Sequence, residues 1–108
     1  MRELRSKIWK ATDVLAKLPA ESDAPESYIE PFSKGATSLG LYAPKGEDHQ
    51  EPHDQDELYF VISGSGTFVH DGRLSPFGPG DAIFVAAGVP HRFEDFSDDF
   101  STWVLFWG

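Results

Sequence analysis

The stretch EPHDQDELYFVISGSG, residues 51–66, carries both the fold and the functional question. Its second half, ELYFVIS, is rich in aromatic and β-branched residues and closes on Gly64-Ser65-Gly66, the pattern of a strand running into a turn. Its first half places Glu51, His53 and Glu57 at the mouth of a strand that otherwise reads as core. Side chains alternate along a strand, so an extended segment here puts Glu51 and His53 on one face. A tight connection at Asp54-Gln55-Asp56 then folds Glu57 back beside His53. Tyr59 falls on the Glu57 face, where it either lines the same cavity or serves as a structural tyrosine of the core.

Outward from this stretch, short runs of the same character recur: YIEPF, ATSLGLYA, GTFVHD, AIFVAA, HRFEDF and STWVLFWG. Turn signals separate them at intervals of roughly ten residues, the spacing of an all-β sandwich or barrel. Asp71-Gly72 suits the positive φ of a type I′ hairpin. The last run has Val104 and Phe106 on one face and Trp103, Leu105 and Trp107 on the other. A strand apolar on both faces needs a cover on its outer side. The N-terminal segment or a second subunit would serve, and a homodimer is the expected cover. Residues 1–27 form an N-terminal segment, helix or strand, packing on the barrel: KIWKA suits a short strand and TDVLAKLPA a short helix capped by Thr12 or Asp13 and ended by Pro19, followed by a polar linker. The chain of 108 residues is expected to form a single domain over 1–108.

Lys and Arg total 9 against 18 Asp and Glu, a formal charge of -9. Such a surface repels phosphate backbones, so nucleic acid and anionic membrane are excluded as expected partners. No apolar run reaches the length of a membrane span. Cysteine is absent, which removes disulfides and thiolate chemistry. MRELRSKIWKATD lacks the apolar centre of a secretory signal, so a cytoplasmic location is expected.

Two imidazoles and a carboxylate suit first-row divalent ions and leave coordination positions open. The third of these groups lies far along the chain: GDAIFVAAGVPHRF is a strand, a glycine turn and then His91. The pattern G-x4-E-x-H-x3-E-x6-G runs from Gly46 to Gly64, and G-D-x4-A-x-G-x2-H-x3-D runs from Gly80 to Asp95. These resemble the two motifs of the cupin family, G-x5-H-x-H-x3,4-E-x6-G and G-x5-P-x-G-x2-H-x3-N. The resemblance implies a double-stranded β-helix, the jelly-roll cupin barrel. It also implies an interior divalent metal ion, held in the family by three His and one Glu. By position, His53, Glu57 and His91 fall on ligand sites, and Glu51 stands where the family has its first His. Glu51 then either ligates through oxygen or leaves a triad, as a candidate general base or as a solvent-facing charge of the acidic loop. Ala86 and Asp95 replace the family's proline and asparagine.

For function, the resemblance implies a metal-dependent enzyme acting on a small organic molecule, of dioxygenase, isomerase or lyase type. The ion is Zn, Ni, Mn or Fe, and Glu51 and Tyr59 are the catalytic candidates. A non-catalytic small-molecule sensor and a structural scaffold are the alternatives. His49 is read as a loop residue and His70 as a surface residue of the hairpin.

Overall fold

The computed structural model describes residues 5–18 and 27–108. Among the described residues one short helix, α1 (Ala11–Leu15), precedes eight strands: β1 (Tyr28–Lys34), β2 (Thr37–Tyr42), β3 (Asp56–Ser63), β4 (Gly66–His70), β5 (Arg73–Phe77), β6 (Ala82–Val85), β7 (His91–Glu94) and β8 (Ser101–Trp107). They form a five-stranded sheet in the order β1-β2-β8-β3-β6 and a three-stranded sheet in the order β5-β4-β7, with every pairing antiparallel. This is an all-β jelly-roll barrel, as the strand spacing and motifs imply.

The two sheets enclose an aromatic core of Tyr42, Tyr59, Phe68, Phe77, Phe93 and Phe100, filled out by Val61, Val85 and Val104. Ring centroids 4.7 Å apart at Phe93–Phe100 and 4.9 Å apart at Tyr59–Phe93 place these side chains in tilted and edge contacts, the arrangements favoured by ring quadrupoles. Alternation explains the set: β3 sends Glu57, Tyr59 and Val61 inward, and β8 sends Thr102 and Val104. On the outer face of the larger sheet, Val14 of α1 packs with Ile29, Leu41 and Ala43, joined by Trp9, Ile62 and Trp103. This is one cover for the doubly apolar β8. It does not extend to β6, where Phe84 is 57% exposed and Phe60 of the neighbouring β3 is 43% exposed.

Several local expectations change. The N-cap of α1 is Lys10, with no side-chain cap bond; Thr12 and Asp13 lie inside the first turn, where Asp13 faces the positive end of the helix. Pro19 and residues 20–26 of the linker lie outside the described residues. β5, RLSPF, is the second strand of the Asp71-Gly72 hairpin although it contains a proline. Its proline survives because β5 is an edge strand, so Pro76 has an open side on which its missing N–H costs no ladder bond. Residues 51–53 are not extended on a strand. Residues 43–55 form an irregular connection between β2 and β3, and the prolines at 44 and 52 deny it ladder donors. His70 is half-buried on the core-facing side of β4. It stacks on Phe68 at 5.3 Å and bonds Ser75 Oγ at 3.0 Å. A two-residue step from Phe68 sets that direction, which proximity to the turn had obscured.

The Asp71-Gly72 turn forms as expected, with φ of 49° and 81°. Gly64, the last glycine of the first motif, is more constrained. Its φ is 84°, and a Cβ there would lie 2.5 Å from Phe100 Cα and 2.7 Å from Ser97 Oγ. Gly64→Ala therefore meets both backbone strain and backbone contact. It is expected to lower unfolding free energy by about 2–3 kcal/mol. Urea unfolding measures this, and a loss below about 0.5 kcal/mol would contradict the close approach.

Candidate metal centre

Glu57 and Tyr59 occupy alternate positions of β3, both facing the interior and both 1% exposed. His91 opens β7 from the opposite sheet. His53 comes from the irregular connection. Its carbonyl accepts from Gly88 N at 2.7 Å, which joins that connection to the turn before β7. Asp56 Oδ1 strengthens the same seam by accepting from Ala87 N at 2.9 Å. The two glycine-bearing motifs are thus adjacent in space.

Donor atoms of His53, Glu57 and His91 lie within 4.8 Å of one another. His91 Nε2 is 2.6 Å from Glu57 Oε1, and His53 Nε2 is 3.9 Å from Glu57 Oε2. The second distance is too long for a hydrogen bond and is of the order that separates two ligands of one ion at bond lengths of about 2.0–2.2 Å. Glu57 Oε2 is buried and has no hydrogen-bond partner among the described residues. An orphaned carboxylate oxygen in a protein interior is costly and calls for a missing partner. A divalent cation between these three side chains answers that need, so the residues present fit a metal.

His91 Nδ1 lies 2.8 Å from the Val89 carbonyl. A carbonyl only accepts, so Nδ1 carries the proton and Nε2 faces the site. Burial pulls the His91 pKa down, but the hydrogen bond to Glu57, the backbone bond to Val89 and nearby negative charge outweigh it, leaving the value raised. The Tyr59 hydroxyl sits among three groups: Gln50 Oε1 at 2.9 Å, His91 Nε2 at 3.0 Å and Glu57 Oε1 at 3.2 Å. Burial, and then the charges of Glu57 and Asp48, push its pKa well above the ordinary tyrosine value.

A cavity of about 630 Å³ opens onto Tyr59 and His53. Its wall includes Tyr28, Tyr42, Val104, Phe106, Glu51 and Asp54, with no Lys or Arg among the described lining residues. Glu51 is exposed on that wall and is not among the converging donors. His49 is exposed too, with Nε2 3.0 Å from Glu47 Oε2. The sequence reading passed over Asp48 and Gln50. Asp48 is only 8% exposed and accepts from Tyr42 OH, Gln50 N, Gln50 Nε2 and Phe93 N. No spacing rule distinguishes these two residues from the acidic loop around them.

A family model described as "Cupin domain" matches residues 38–107, and the chain belongs to the cupin family. It is 36% identical over 95 residues to an uncharacterised protein of Streptomyces coelicolor, covering 85% of this chain and 90% of that one. It is also 36% identical over 70 residues to the dimethylsulfoniopropionate lyase DddQ of Ruegeria pomeroyi, covering 64% of this chain. The chain spans about a third of that lyase, 32% of its length. The lyase's crystal structure superposes with a TM-score of 0.65 at 26% identity, over 75% of this chain and 46% of that one. A cupin 2 conserved barrel domain protein from Salinispora arenicola superposes with a TM-score of 0.69 over 99% of this chain and 91% of that one. At 17% identity it shares the fold. No helix among the described residues is long and apolar enough to cross a membrane.

Proposed function

We propose that this protein is a metal-dependent cupin enzyme of lyase type. His53, Glu57 and His91 hold one divalent ion, and Tyr59 moves a proton to or from a small molecule in the adjoining cavity. The observation that carries this reading is the buried, unpartnered Glu57 Oε2 beside two imidazoles. A divalent ion bound there supplies Lewis-acid polarisation of a substrate carbonyl or carboxylate. The rest falls to the chain. His91 is held by Val89 with Nε2 toward the site. Tyr59 keeps its proton at neutral pH in the metal-free protein, because burial and neighbouring acids oppose the phenolate. Its hydroxyl borders the cavity, where it can donate that proton as a general acid, and would serve as a base only once a bound cation offsets the neighbouring acids. Tyr28, Tyr42, Val104 and Phe106 offer an apolar side for part of a small organic molecule, and the acids Glu30, Glu51 and Asp54 on the same wall disfavour substrates of high negative charge.

Lyase chemistry is preferred among the reactions cupins host because of the likeness to a dimethylsulfoniopropionate lyase. Glu51, on the rim, takes the part of a wall residue in this scheme.

The test is elemental analysis of protein purified without added metal or chelator. About one Mn, Fe, Ni or Zn per chain is expected, removable by chelation and restored on titration. A chain with no metal, and no uptake of any of the four, would overturn the reading.

A further inference from the structure

We propose that Gln50 supplies a fourth protein donor to this ion through its side-chain oxygen Oε1, the part that matching of motifs gives to Glu51. The proposal rests on the metal reading above. Three observations lead to it.

The first is where the side chains go. Pro52 and the irregular course of residues 43–55 break the alternation that would turn Glu51 inward beside His53, and Glu51 ends exposed. Gln50 turns inward instead. Its Oε1 lies 3.5 Å from His53 Nε2 and 2.9 Å from the Tyr59 hydroxyl, which itself touches Glu57 Oε1 and His91 Nε2. The amide oxygen thus faces the region on which the other donors converge.

The second is chemical identity. The two ends of a glutamine amide are distinguished by their partners. Gln50 Nε2 lies 2.6 Å from Asp48 Oδ2, a carboxylate oxygen that takes an N–H. The NH₂ is therefore committed to Asp48, and the carbonyl oxygen is committed to the site.

The third is how firmly this is held. Asp48 receives the Tyr42 hydroxyl at 2.6 Å, Gln50 N at 3.2 Å and Phe93 N at 2.8 Å, as well as the Gln50 amide. A buried carboxylate behind a ligand both orients it and polarises it toward the metal. Asp48 acts here as a positioning residue. The resulting donors are two imidazoles, a carboxylate and a neutral amide oxygen, a set compatible with Mn, Fe or Zn.

The chain offers an unusually clean test, because Gln50 and Gln55 are its only glutamines and it has no asparagine. Two side-chain amides are therefore visible by NMR. Gln55, whose Nε2 donates to Ala36 O at 2.7 Å, is the internal control. Zn²⁺ is titrated into chelator-stripped, isotope-labelled protein. The Gln50 Cδ and NH₂ signals are expected to move in step with the His53 and His91 imidazoles, saturating at one ion per chain, while Gln55 stays in place. Gln50→Leu is expected to weaken Zn²⁺ binding by about 10-fold or more, and Glu51→Gln to change it by less than about two-fold. A stationary Gln50 signal while the imidazoles shift would overturn the proposal and leave the metal reading standing. So would wild-type affinity in a folded Gln50→Leu variant. Imidazoles that do not respond at all would instead refute the metal reading, and this proposal with it.

Discussion

Replacing His91 with alanine is expected to weaken divalent-metal binding by about 100-fold or more and to lower the stability of the metal-free protein by about 3 kcal/mol. Both effects arise at one contact. His91 Nε2 and Glu57 Oε1 are 2.6 Å apart, and both side chains are 1% exposed. Alanine removes the imidazole lone pair from the donor set. It also leaves Glu57 buried with neither oxygen partnered by a histidine, and breaking a buried pair from one side is far costlier than replacing both members. Calorimetric titration and urea unfolding measure the two losses separately. A folded His91→Ala variant with full metal occupancy would remove His91 from the site.

The same contact gives the metal-free protein a pH dependence. The folded-state pKa of His91 lies above its unfolded value of about 6.5, so the pair's contribution is fully present below that pH. It is lost as pH rises through the raised folded value. The urea midpoint of the stripped protein is expected to fall over that interval, and His91→Ala to lose that dependence.

The second large effect concerns Tyr59. Tyr59→Phe deletes one oxygen and keeps the ring that packs on Phe93 at 4.9 Å. Turnover is expected to drop by about 10²–10⁴-fold, the usual contribution of a positioned acid or base. Metal content should remain at the wild-type level, because His53, Glu57 and His91 are untouched. The assay follows the proposed lyase reaction on a panel of small carboxylates, measured as elimination product formed per metal-loaded chain. A Tyr59→Phe variant as active as wild type would transfer the proton-moving role to another group.

How far the sequence leads depends on where regular backbone ends. On β3, alternation alone places Glu57 and Tyr59 together, because a strand has only two faces. Glycine punctuation with the motif spacing brings His91 to His53, and the Gly88–His53 backbone bond shows the means. The same alternation misleads at Glu51, where the chain is not a strand and the neighbouring residue turns inward. Gln50 is visible only once Asp48 is known to be buried behind it. That burial depends on a bond to Phe93 N, 45 residues along the chain. β5 is legible only through the Asp71-Gly72 turn, which needs a second strand after it; its own proline argues against a strand, and only its edge position permits one.

The site is divided between two kinds of backbone. Glu57, Tyr59 and His91 stand on paired strands whose register the whole barrel fixes, whereas Gln50, Glu51, His53 and Asp54 ride on one irregular connection. That connection is tied down through Asp48 and the His53 carbonyl, which leaves the side chains of residues 49, 51 and 54 as exposed parts of the cavity wall. Substitutions there can refit the mouth to a differently shaped or charged molecule while the barrel and its strand-borne donors stay as they are. A library randomised at those three positions alone would therefore explore substrate choice at little risk to folding.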